Sequence, residues 1–193
     1  FSWHVPGATG TGEADLFMDA IMDHEDQKTE LYDVAATLNR EVHNVGDILV
    51  TLTSKEVYHS GKKSTSSAYE KLPSDFFVQP VGDAYAIISL FEKTDSGEQY
   101  LMIVNKDFDR PATLSFRLDG VASLVEIDKT VDDGTLTPDY KNGVLTRSFK
   151  AGEFALYRLA ERDADYGTAS VSHPNLLVGA ASYANSSVTG NGY

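Results

Sequence analysis

Ala112-Thr113-Leu114-Ser115-Phe116-Arg117-Leu118 alternates apolar and polar residues along most of its length. A period of two puts Leu114, Phe116 and Leu118 on one face, the pattern of a strand lying with one side against a core. Similar runs flank it: Phe76 to Val81, Ala84 to Lys93, Gln99 to Asn105, Ser123 to Asp128, Val144 to Phe149 and Phe154 to Leu159. Turn residues separate them at Val81-Gly82-Asp83, Asp95-Ser96-Gly97, Asp132-Asp133-Gly134, Lys141-Asn142-Gly143 and Ala151-Gly152. The Asn142-Gly143 pair is the sharpest of these cues, because both residues accept the positive φ of a type I′ hairpin turn. About seven short strands predict an antiparallel β-sandwich over residues 74–159. Parallel pairing would need crossover helices, and this stretch has none.

Towards the N-terminus the period changes from two to between three and four. Leu31, Val34, Ala35, Leu38, Val42 and Val45 form one apolar stripe, with Glu30, Asp33, Asn39, Arg40 and His43 mostly off it. The spacing predicts a helix from Thr29 to about Val45. Thr29 is the expected N-cap, with Glu30 favoured by the dipole in the first turn, and Gly46 is the expected stop. Ile48 to Leu52 extends the helix after a kink or forms a turn. A single helix of this length is marginal in water, so its stripe needs a partner. One helix feeding an all-β domain is what the cut end of a larger helical or α/β domain would look like. The expected fold class is therefore mainly β: a sandwich preceded by one or two helices, with an irregular C-terminal tail. The second, shorter helix would span about Glu13 to Met22.

Composition narrows the function classes. The chain has 193 residues, a net charge of −13 and no cysteine. Such acidity argues against nucleic acid and against an anionic membrane surface. Without cysteine there is neither a disulfide framework nor thiolate chemistry. No apolar run approaches a membrane span. With no initiating Met and no signal sequence, the natural N-terminus is expected to lie upstream. Residues 160–193 are rich in Ser, Ala, Asn and Gly and read as a tail carrying one sequon, Asn185-Ser186-Ser187.

Chemistry-bearing patterns are sparse. His4, His24, His43, His59 and His173 lack metal-ligand spacing, and no metal or other cofactor is expected. Gly7-Ala8-Thr9-Gly10-Thr11-Gly12 lacks the Lys-Ser/Thr ending of a phosphate loop. Asp107 and Asp109, beside Asn105 and Lys106, have the composition of a calcium loop, but hairpin-turn carboxylates are far commoner. A glycan-binding sandwich would need a planar row of exposed aromatics. Tyr85, Phe91 and Tyr100 are the available residues, and alternation is expected to bury most of them.

Several segments together resemble the end of a glycoside hydrolase (β/α)₈ barrel of the β-galactosidase type. They are Lys28 to Val34, Thr37-Leu38-Asn39-Arg40-Glu41-Val42, Val45-Gly46-Asp47-Ile48-Leu49 and Val57-Tyr58-His59-Ser60-Gly61. In that family the last strand leads through a loop and an acidic turn into the closing helix. Asp23-His24-Glu25-Asp26-Gln27-Lys28-Thr29 stands at the turn, without the family's glycine. Tyr100 to Asp107 and Ala151 to Leu159 resemble the β-domain that follows such barrels. Asn175 to Ala181, with Ser186-Ser187-Val188 and Gly190 to Tyr193, resembles the opening of a discoidin-like carbohydrate-binding module.

The resemblance implies a barrel end at 1–61, a linker at 62–73, the sandwich at 74–159, a second linker at 160–174 and a truncated module at 175–193. Glycoside hydrolysis needs two carboxylates flanking the scissile bond. In such barrels these come from earlier strands, so no catalytic residue is expected in this chain. Trp3, at the end of the eighth strand, would stack on a sugar ring, with His4 as a second substrate-binding candidate. The implied function is a noncatalytic C-terminal portion of a secreted, periplasmic or cell-surface bacterial glycoside hydrolase, with the sandwich bracing the barrel. The partners it implies are glycan, reached through the parent enzyme, with self-association through the exposed helix face as a further option. The alternatives are a carbohydrate-binding sandwich module and an immunoglobulin-like protein-interaction domain that uses the helix to dock.

Overall fold

The computed structural model describes residues 21–23, 27–61 and 70–162. Helix α1 spans Glu30–Leu49. The strands are β1 (Leu52–His59), β2 (Val78–Pro80), β3 (Ala86–Lys93), β4 (Gln99–Asn105), β5 (Ala112–Leu118), β6 (Val121–Asp128), β7 (Gly134–Leu136), β8 (Asp139–Lys141), β9 (Val144–Phe149) and β10 (Phe154–Arg162). These residues fall into two compact units. One contains α1 and the loop at 128–134; the other contains the body of the strands from Thr51 onward.

The strand unit is built from two sheets, ordered β1-β3-β4-β10-β6-β7 and β2-β5-β9-β8. The pairs β1–β3, β3–β4, β4–β10 and β6–β10 in the first sheet run antiparallel, as do β2–β5, β5–β9 and β8–β9 in the second. Alternation decides which side chains meet. Ile88, Leu101, Ile103 and Tyr157 from the six-stranded sheet share one buried cluster with Leu114, Phe116, Leu145 and Phe149 from the four-stranded sheet. The two inner faces are therefore packed together as a sandwich. Each of the aliphatic and phenylalanine side chains among them contributes about 1.5–3 kcal/mol by leaving water.

The mainly β class and the antiparallel sandwich are what the alternation predicts, and β4, β5 and β9 have the predicted bounds. Asn142 and Gly143 have φ of 53° and 76°, which is the positive-φ pair required by the β8–β9 hairpin. Three strands were not expected. β7 and β8 are three residues each, too short to show a period. β1 carries a bulge where the register shifts between Ser54 and Glu56, and this breaks its alternation in the sequence.

The helix differs from its expected ends. Gly46 does not stop it: the helix runs to Leu49, and the Val50 N–H donates to the Gly46 carbonyl at 3.0 Å. Ile48 and Leu49 simply continue the turn, and Leu52 already belongs to β1. Thr29 occupies the N-cap with an extended backbone, but its hydroxyl makes no cap bond. It donates instead to the Ile21 carbonyl at 3.2 Å. The sandwich's last strand runs past its expected end at Leu159 to Arg162, into the segment expected as tail; the rest of the tail, its discoidin-like segment and the short helix expected at 13–22 lie outside the described residues, apart from Ile21 and Met22.

Candidate functional site

The stripe that predicts α1 does not form a core. Leu31, Val34, Leu38 and Val42 are 52–57% exposed, whereas Val45 is fully buried. Four large apolar side chains three and four residues apart thus make a continuous exposed ribbon on one helix face.

The rest of this unit fixes the ends of the ribbon. Ahead of α1 the chain turns back on itself. Met22 bridges Lys28, the Asp23 N–H donates to the Gln27 carbonyl at 2.9 Å, and the Gln27 N–H donates to Asp23 Oδ1 at 2.8 Å. Lys28 Nζ then lies 4.0 Å from the centroid of the Tyr32 ring, a cation–π contact in the first turn. Near the other end, the loop at 128–134 holds the helix flank. Lys129 Nζ pairs with Glu41 Oε2 at 3.2 Å, and Asn44 Nδ2 donates to the Lys129 carbonyl at 2.9 Å. Asp128 shapes that loop by accepting from the Thr130 hydroxyl at 2.6 Å and the Thr130 N–H at 2.8 Å. These bonds favour the carboxylate, the hydroxyl's most strongly, and hold Asp128 below its ordinary pKa.

A second cluster lies inside the strand unit. Arg147 shares an inward face of β9 with Leu145 and Phe149, and its guanidinium rests 4.7 Å from the Phe149 ring centroid. Its Nε donates to Glu126 Oε1 at 2.9 Å, and Nη1 lies 3.4 Å from Glu153 Oε2. The bond to Glu126 joins β9 to β6, and so one sheet to the other. Burial works against the charge on Arg147, but Glu126 and Glu153 outweigh it and raise its pKa. The fully buried Tyr157 hydroxyl is pushed far up, by burial first and then by Glu126. Two glutamates beside an arginine and a tyrosine have the composition of a glycosidase centre. Here the guanidinium binds both carboxylates, and the group sits among core side chains, so the arrangement is a tie between sheets.

The loop after β4 has a similarly structural explanation. Buried Asn105 donates from Nδ2 to the carbonyls of Arg110 and Lys150, at 2.8 and 2.9 Å. Asp107 Oδ1 accepts from the N–H groups of Asp109 and Arg110, both at 3.1 Å. Asp107 is therefore a turn-forming carboxylate. Among the described residues no group of three or more His, Asp or Glu is arranged to hold a metal ion. No described helix is long and apolar enough to cross a membrane.

Of the aromatics considered for a glycan row, Tyr100 is buried and Phe91 half-buried. Tyr85 lies 5.2 Å, centroid to Nζ, from Lys106. They do not form an exposed planar row. Trp3 and His4 lie outside the described residues. Sequence reasoning missed the Arg147 tie, because Glu126, its closest partner, is 21 residues away in the chain; the one available signal was a charge at an inward position of β9.

The chain matches no protein-family model, no curated protein and no solved structure.

Proposed function

We propose that this chain is the noncatalytic C-terminal portion of a glycoside hydrolase of the β-galactosidase type, in which α1 closes a (β/α)₈ barrel and the sandwich braces it. The observation that carries this reading is the exposed stripe of Leu31, Val34, Leu38 and Val42. An amphipathic helix with its apolar face in water is a helix whose packing partner is elsewhere. The hydrogen bonds between Asp23 and Gln27 ahead of α1 add support, since the resemblance puts a turn before a closing helix. In this reading the hydrolytic carboxylates belong to strands upstream of Phe1, glycan is met through the parent enzyme, and that enzyme works outside the bacterial cytoplasm.

The test extends the polypeptide with the coding sequence that precedes Phe1. The expected result is a run of β/α units with two carboxylates at strand ends, and hydrolysis of nitrophenyl glycosides by the extended protein but not by this chain. Turnover that co-purifies with this chain alone, or an upstream sequence without β/α repeats, would overturn the reading. The carbohydrate-binding alternative is less favoured because Tyr100 is buried and Tyr85 is engaged by Lys106.

A further inference from the structure

We draw no further inference here: the strongest candidate outside the exposed α1 face already described, the Glu126–Arg147–Glu153 cluster with the buried Tyr157 hydroxyl between the two sheets, has its guanidinium taken up by its own two carboxylates and nothing in the structure shows a ligand that it would take.

Discussion

Gly61 shows how a single residue can be fixed by distant chain. Its φ is +91°, and a Cβ there would lie 2.8 Å from Tyr85 Cα and 2.9 Å from the Ala84 carbonyl oxygen. Both obstacles are backbone, so neither can swing aside. Gly61→Ala is expected to cost about 3 kcal/mol, from positive φ and the clash together, read as a lower urea midpoint. Two residues away, His59 is held below its ordinary pKa of 6.5, by burial first and then by the Lys106 charge. A depressed histidine binds its proton more readily once unfolded. Its stabilising contribution is therefore complete above about pH 6.5 and is lost as pH falls through the folded-state value. The urea midpoint should drop between pH 7 and pH 5, and drop less in His59→Gln; equal drops would refute the assignment. Arg147 gives the third case. Arg147→Ala leaves Glu126 buried without its partner and should cost about 3 kcal/mol by chemical denaturation. An apolar replacement of both residues should cost less. Legibility at this scale followed sequence distance. The Asn142-Gly143 turn is local chemistry and was readable, whereas Gly61 answers to Tyr85 and Arg147 to Glu126, which no neighbouring residue announces.

Among the elements, α1 separates what a stripe predicts from what it guarantees. Its apolar spacing correctly predicts a helix, yet only Val45 is buried. Leu38→Ser should therefore change the stability of this chain by no more than about 0.5 kcal/mol. Val45→Asp, which puts a charge at a fully buried position, should destabilise by several kcal/mol. Equal losses in thermal unfolding would mean that Leu38 is covered in solution. The 128–134 loop should matter as well. Lys129→Ala removes the Glu41 pair, worth about 1 kcal/mol at most at a partly exposed site. The expected readout is faster amide exchange in the second half of α1, with β4 and β10 unchanged. The strands were legible in proportion to their regularity. β4, β5 and β9 alternate cleanly and have the predicted bounds, while β1 is interrupted by its bulge and β7 and β8 are too short to have a period. Gly46 misled because glycine permits a helix stop without requiring one, and the apolar residues after it sustain the turn.

For the whole molecule, the exposed ribbon raises the question of whether a second copy covers it. At about 25 cal/mol per Å², full burial worth 1.5–3 kcal/mol corresponds to roughly 60–120 Å² per side chain. Four half-exposed residues then offer on the order of 200 Å². A stable interface needs about 800 Å² from each partner. Two copies would also bring together chains of net charge −13, a repulsion felt most at low salt. The chain should therefore sediment as a monomer at micromolar concentration in low salt, and a dimer there would refute the area argument. Extended upstream as proposed, the same ribbon would meet a larger apolar surface. The α1 amides should then exchange more slowly than in this chain alone, and Leu38→Ser should become costly where it had been nearly silent. A helix that exchanges equally fast in both proteins would mean that the upstream polypeptide does not cover the ribbon. That outcome would remove the main support for reading α1 as the closing helix of a barrel.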